Sequence, residues 1–265
     1  MDEKRNITKA AGIMSVATFI SRVLGYVKDM ILAVYFGATG LSDTFFVAFR
    51  IPNLLRELFA EGSMSSAFIP VLTEYQAKNG KDEAKRLVRI TFTFIMIFVG
   101  LICLIGVIFA PSIVTAIAPG FLNMPEKFSL TVLLTRVMFP FLLFISLAAL
   151  IMGALNSRRV FFIPALAPAM LNVSIIVTVI SLASKMEQPI IAVAIGVALG
   201  GFVQFAFQIP SFLKNGYSLK PEYDFRHPGL KKMSILMLPA TMGMAVAQIN
   251  IFISTILASY LAAGS

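Results

Sequence analysis

The sequence predicts an all-α integral membrane protein, and three observations carry that expectation. Of 265 residues, 58% are hydrophobic and only 13% charged, about half the roughly 25% of charged residues usual in soluble domains. Apolar runs of about twenty residues recur along the chain, the length of helix that crosses a hydrocarbon core of about 30 Å. Open strands are excluded, because unpaired backbone groups in lipid cost several kcal/mol each, and barrel strands would alternate at half this length.

Seven crossings follow in order. The segment 10–36 is long, amphipathic and charged at membrane depth, as is 41–77. The clearest apolar spans are 90–111, 137–155, 160–184, 188–213 and 233–262, each almost uncharged. At 37 residues, 41–77 would reach about 55 Å as a straight helix, so a kink or an extension out of the membrane is expected. Pro52 removes a backbone donor there, and Gly62-Ser63 offers a weak point with a new N-cap. The start, Met1-Asp2-Glu3-Lys4-Arg5, runs into a helical pattern without a small-residue cleavage site and reads as a retained end.

Basic residues set the expected orientation. The N-terminus, the 74–89 loop, the 156–160 turn and the 214–232 loop together hold fifteen Lys and Arg. The alternate loops hold two, Lys127 and Lys185. The N-terminus is therefore expected in the cytoplasm and Ser265 outside. That polarity is opposite to a rhodopsin-type receptor. The net charge of +9, which in a soluble protein would suggest nucleic acid, is accounted for by these loops, and no nucleic-acid partner is expected. Cys103 is the single cysteine, so no disulfide framework and no cysteine-based metal site are expected.

Charges within the spans carry the functional argument. A charge at the bilayer centre costs about 2.5–3.5 kcal/mol even on insertion scales, and such residues face cavities or partners. Arg136, near a span end, reads as snorkelling. Seven others crowd the first two segments: Arg22, Lys28, Asp29, Arg50, Arg56, Glu57 and Glu61. Arg22 and Asp29 are seven apart and share a helix face with Gly25. Arg50, Glu57 and Glu61 line one face of the second segment, with Arg56 offset by about one residue's rotation. Mutual neutralisation of Arg22–Asp29 and Arg56–Glu57/Glu61 is one reading. The one adopted is a basic-leaning cavity for an anionic substrate, since arginine presents a planar fork to phosphate and stays charged when desolvated. Gly25, Pro52 and Gly62 are the expected hinges, and broken helices at charged midplane sites recur in transporters.

The residues that carry these charges also resemble a known family. The stretch Ser21-Arg22-Val23-Leu24-Gly25-Tyr26-Val27-Lys28-Asp29 is similar to the opening signature of the MurJ (MviN) lipid II flippases, as are Asp43 through Arg56 and Phe59 through Pro70. Pro239-Ala240, opening the seventh helix, and Leu257 through Leu261 fit as well. The resemblance implies the multidrug/oligosaccharidyl-lipid/polysaccharide exporter superfamily: two six-helix lobes around a central cavity, with two further helices in this family. On that reading 1–213 is the N-terminal six-helix lobe, 214–232 a cytoplasmic inter-lobe loop, and 233–265 the first helix of a second lobe. The ending after seven helices leads to the expectation of a truncated sequence. The implied substrate is lipid II, an undecaprenyl-pyrophosphate disaccharide-pentapeptide, moved from inner to outer leaflet of the bacterial cytoplasmic membrane for peptidoglycan synthesis. Arg22 and Arg56 match the family's cavity arginines, and Asp29 its acid.

Two departures stand out against that pattern. Lys28 replaces the usual arginine and loses the bidentate fork. Glu57 stands where many members have a second basic residue. An exporter of another lipid-linked glycan, or of drugs, remains the alternative from the residues themselves, although a site for cationic drugs should lean acidic. An enzyme would need convergent acids with metal, or a histidine base. The lone His227 reads as a solvated residue of the basic loop, so no catalytic residues, metal or cofactor are expected. A scaffold for cell-wall synthesis proteins is a third class, and such proteins are possible partners.

Overall fold

The structure, a computed structural model, describes residues 2–37, 40–57 and 63–258. Ten α-helices follow in order: α1 (Asp2–Phe36), α2 (Gly40–Arg56), α3 (Ser63–Lys78), α4 (Lys81–Ile108), α5 (Ala110–Ile117), α6 (Pro125–Met138), α7 (Pro140–Ser157), α8 (Phe162–Leu182), α9 (Ile190–Lys214) and α10 (Pro228–Ala258). No strand occurs among the described residues. Lys81–Ile108, Pro125–Ser157, Phe162–Lys185 and Ile190–Lys214 are each long and apolar enough to cross a membrane. With α1, the α2–α3 pair and α10, the count is about seven, and the chain is an integral membrane protein.

Proline explains most differences between the expected spans and the helices. The expected 90–111 span is α4, which starts earlier at Lys81 and stops at Ile108, because Pro111 opens the short α5. The expected 137–155 span is divided: α6 stops at Met138 and Pro140 starts α7. The Phe139 carbonyl at that joint accepts a hydrogen bond from the Cys103 thiol (3.3 Å). The 41–77 segment is two helices, α2 ending at Arg56 and α3 starting at Ser63, as the kink required. Pro52 lies inside α2, buried, one turn before its end. The last helix starts at Pro228 and not at 233, so Pro239 lies within α10 rather than opening it.

The central element is α7, which packs against α9, α4 and α3, with twelve of its residues buried. The tightest seam joins α8 to α9. Gly196 and Gly200, four apart on α9, let the two backbones approach: a Cβ on Gly196 would stand 2.8 Å from the Ile175 Cα, and one on Gly200 3.0 Å from the Leu171 Cα. Small residues at this spacing bring membrane helices together through close van der Waals contact. On the outside of this core, α1 leans on α8, whereas α2 packs against α6 and α7. A wedge therefore opens between α1 and α2.

The two ends of the bundle are each tied. At the far end, the Lys127 ammonium pairs with Asp43 (2.9 Å) and lies 4.3 Å from the Phe121 ring centroid, joining α6 to the start of α2. At the basic end, the 215–227 connection is strapped onto α4. Arg86 donates from Nε to Glu222 (2.8 Å) and from Nη2 to Asp224 (2.9 Å), and Arg89 donates to Glu222 Oε2 (2.8 Å). The Glu222 amide donates to Thr93 Oγ1 (2.9 Å). The hydrogen bond from Arg86, reinforced by Arg89, holds the Glu222 carboxyl below its usual range. Lys232 at the start of α10 reaches Glu74 of α3. The segments holding most of the basic loop residues thus do share one end.

His227 is not the solvated residue expected. It is 4% exposed, packs at a tilt against Tyr75 (5.5 Å between centroids), and places Nε2 3.0 Å from Glu83 Oε1. Nδ1 accepts the Gly229 amide proton (3.1 Å), which leaves the ring proton on Nε2, donated to Glu83. Arg136, by contrast, is exposed as a span-end residue should be, and donates to the Val107 carbonyl (3.2 Å) in the last turn of α4.

Candidate functional site

Lys28 is the one expected cation that lines the wedge between α1 and α2. A cavity of about 650 Å³ lies there, bounded by α1, α2, α8 and α9. Its walls are largely apolar, including Phe36, Phe45, Phe49 and Ile175, while Lys28 and Asp29 supply one polar edge and Ser42 and Asp43 another. Mostly apolar walls with a few convergent polar groups are the usual make-up of a ligand cavity. Aromatic packing holds the α2 wall: Phe45 stacks on Phe49 (5.7 Å) and Phe49 meets Phe141 of α7 (5.9 Å). The Ser42 hydroxyl donates to the Gly37 carbonyl (2.6 Å), fixing the corner between α1 and α2.

On α1, the Lys28 ammonium is 3.1 Å from Asp29, and its side chain is 24% exposed against 69% for Asp29. Asp29 is therefore paired with its neighbour and not with Arg22, seven residues away. Arg22 is exposed, and no ion pair links it to another described residue. Gly25 lies inside unbroken α1, where a Cβ would sit 3.5 Å from Asn172 Nδ2. That amide donates to the Ser21 carbonyl (3.2 Å) and ties α1 to α8 at this level.

On α2, Arg50 is half-buried, and its Nε is buried without a hydrogen-bond acceptor. Arg56 and Glu57 are also half-buried, with Arg56 Nη2 3.8 Å from Glu57 Oε1. Asn53, one turn earlier, bonds to both: its Oδ1 accepts from Arg56 Nε (3.1 Å) and its Nδ2 donates to Glu57 (2.8 Å). Glu61 and Gly62 lie outside the described residues. The expected cations thus occupy the two helices flanking the wedge, Lys28 at the cavity itself and Arg50 and Arg56 along α2. Sequence reasoning missed Asn53 as a partner of both charged residues, although its i, i+3 and i+4 spacing to Arg56 and Glu57 carries that signal. It also missed the Asp43–Lys127 pair, which no local spacing announces. Among the described residues, no group of three or more histidine, cysteine or acidic side chains is placed to hold a metal.

A family model described as lipid II flippase MurJ matches residues 32–265. The chain belongs to the MurJ family. The "Lipid II flippase MurJ" of Burkholderia cenocepacia is 39% identical over 264 residues, covering 98% of this chain and 51% of that protein. The "Probable lipid II flippase MurJ" of Vibrio cholerae is 40% identical over 268 residues, with the same two coverages. A solved MurJ structure in an inward closed conformation superposes with a TM-score of 0.77 at 30% identity, over 95% of this chain and 51% of the other. A Pyrococcus furiosus transporter of the MOP superfamily shares the fold, with a TM-score of 0.69 at 16% identity, over 92% of this chain and 54% of that one. The chain spans about half the length of the curated MurJ relatives it matches.

Proposed function

We propose that the chain supplies the cation-bearing half of a flippase for lipid II, the undecaprenyl-pyrophosphate-linked peptidoglycan precursor. Residues 1–213 form a six-helix lobe, 214–232 an inter-lobe connection, and 233–265 the first helix of a second lobe. One observation supports an anionic substrate most directly. Arg50 keeps a buried guanidinium nitrogen without an acceptor, and an unmet buried donor costs about 1–3 kcal/mol. A phosphate oxygen relieves that cost, and Lys28 at the cavity and Arg56 further along α2 extend the positive potential on either side. Arg22 continues it on α1. Asp29, Glu57 and Glu61 temper the charge, so that the pyrophosphate is held but released.

In this reading the N-terminus faces the cytoplasm, the headgroup enters from the cytoplasmic leaflet, and rocking of the lobes exposes it on the other side. Gly25, Pro52 and Gly62 give α1 and the α2–α3 pair their bending points. The role is transport, without a catalytic step. Cell-wall synthesis proteins are proposed partners at the membrane.

The test is lipid II binding to the purified chain in nanodiscs, read by native mass spectrometry. Arg22→Glu, Arg50→Glu and Arg56→Glu should each weaken binding at least tenfold, the scale of one charge-assisted hydrogen bond (about 1.5–3 kcal/mol). Unchanged binding in all three variants, with helicity intact, overturns the site. In cells depleted of their own flippase, full rescue by a protein carrying Arg22→Glu overturns the transport role.

A further inference from the structure

The end of α7 carries an arginine in a backbone conformation that favours glycine. Three amides close this helix: Arg158 N donates to Leu155 O (2.9 Å), Arg159 N to Asn156 O (3.0 Å) and Val160 N to Leu155 O (3.0 Å). The last two bonds are those of a Schellman motif, whose left-handed residue is usually glycine, sometimes asparagine. Here it is Arg159, with φ 61°, the one non-glycine residue at positive φ among the described residues. A side chain is strained in that region, so the turn gives up stability to keep an arginine. The charge bias that orients a membrane chain asks for basic residues somewhere at this end; it does not ask for one at this position.

Two further cations stand beside it. Gly196 faces Ile175 and Gly200 faces Leu171, an antiparallel register that brings the start of α8 and the end of α9 to the same end as the end of α7. Tyr217, buried just past α9, stacks on Phe212 (4.9 Å between centroids) and donates its hydroxyl to the Ala154 carbonyl (3.3 Å). The same hydroxyl accepts from Arg158 Nε (3.3 Å), and the Arg158 guanidinium carbon lies 5.5 Å from the Tyr217 ring centroid. Arg158 is thus held at one edge, with no ion pair to another described residue. Arg159 and Lys214 are exposed and likewise have no ion pair among the described residues. Arg86 and Arg89 on α4, by contrast, are neutralised by Glu222 and Asp224. Beside the three cations, Leu213 and Phe162 are 49% and 43% exposed. Guanidinium forks suit phosphate, and basic residues at the ends of membrane helices attract anionic lipid. We propose that the α7–α8 turn and the end of α9 bind the phosphate headgroup of an anionic phospholipid, with Arg158 and Arg159 on the phosphate, Lys214 flanking it, and the acyl chains along Phe162 and Leu213. Lys214 is seventeen residues, or about 25 Å of helix, beyond Val197 of the cavity wall, so the site does not depend on what the wedge between α1 and α2 holds.

The test is phosphatidylglycerol binding to the purified full chain in detergent micelles, titrated by native mass spectrometry against neutral phosphatidylcholine. The parent should hold phosphatidylglycerol more tightly than phosphatidylcholine. Arg158→Gln, Arg159→Gln and Arg159→Gly should each weaken phosphatidylglycerol binding about fivefold, the worth of one basic residue at an anionic membrane surface. Lys231→Gln removes an exposed cation at the same end, on α10, and should bind like the parent. Arg159→Gly separates binding from folding, because glycine takes this φ without strain. Its thermal midpoint without lipid should exceed that of Arg159→Gln, while the two lose the same affinity. If Arg159→Gly binds phosphatidylglycerol like the parent, the arginine serves the turn alone and the proposal is overturned. Equal loss in Lys231→Gln, or equal binding of the two lipids by the parent, overturns it as well. Complete displacement of the lipid by an equal concentration of inorganic phosphate would make the ligand a free anion, and displacement by a polyglutamate peptide at lower concentration would make it an acidic protein; either result overturns the lipid assignment. Should Arg158→Gln not fold, Arg159→Gly still decides.

Discussion

Replacing Gly196 by alanine adds one methyl group at the α8–α9 seam, and its cost follows from what that methyl meets. The new Cβ would lie 2.3 Å from Thr178 Oγ1 and 2.8 Å from the Ile175 Cα. The hydroxyl is held by the Ser174 and Ile175 carbonyls (2.8 and 3.0 Å), and could rotate away at the cost of those bonds. The Ile175 Cα is backbone and cannot rotate away, so α8 and α9 must separate along their tightest contact. Overpacking of this kind costs about 1–3 kcal/mol. Gly100→Ala is the matched control. It lies inside α4 with nothing within 4 Å of its Cβ, and there alanine should stabilise by about 0.5–1 kcal/mol through helix propensity alone. Unfolding of the two variants in mixed detergent micelles, followed by circular dichroism, should move in opposite directions from the parent. Gly196→Ala unfolding at or above the parent midpoint, alongside Gly100→Ala, would refute the close-approach argument. Gly200→Ala, facing the Leu171 Cα at 3.0 Å, should side with Gly196→Ala.

Other expectations concern the two tied ends. Side chains of Lys127 and Asp43 are only 15% and 22% exposed, so a double-mutant cycle with Lys127→Met and Asp43→Asn should give a coupling near or above the ~1 kcal/mol limit of exposed pairs; zero coupling would remove that tie. Because Arg86 and Arg89 lower the Glu222 carboxyl in the folded protein, its contribution is present at neutral pH and fades as pH falls through and below the ordinary glutamate value of about 4.3. Hydrogen-exchange protection of 218–227 should therefore drop as pH falls below about 4.3, and a Glu222→Gln protein should show less of that drop; superimposable profiles would count against the linkage. His227→Ala removes the Glu83 contact and the Tyr75 packing, and should speed tryptic cleavage after Arg226 in the purified protein. Equal cleavage rates would mean that the strap holds without it.

The membrane helices were legible because lipid imposes one solvent on a long stretch of chain, so hydropathy summed over twenty residues is decisive for α4, α8 and α9. Their breaks were less so. Pro111 and Pro140 both open new helices, but Pro168 and Pro210 lie inside α8 and α9 without ending them. The charges of the candidate site were legible for the same reason as the helices: each is costly at depth, so Arg22, Lys28, Arg50 and Arg56 stand out from an apolar background. Polar residues in the loops carry no such signal. His227 reads as solvated because histidine in a basic loop usually is, and only the fold brings Glu83, 144 residues away, to its ring. The Lys127–Asp43 pair, 84 residues apart, is hidden in the same way. Asn53 was overlooked for a different reason, because an amide between two charges draws no attention when charge alone is tallied.

The strap at the basic end also has a mechanical consequence. With Glu222 and Asp224 fastened to α4 and Lys232 fastened to α3, the connection between α9 and α10 has no slack to pay out. The near end of α10 is then a pivot, and the helix beyond it a lever. At 31 residues, α10 is about 46 Å long, so a tilt of about 10° at the pivot carries its far end about 8 Å. A small rotation at the fastened end would thus become a displacement of atomic-gate size at the other.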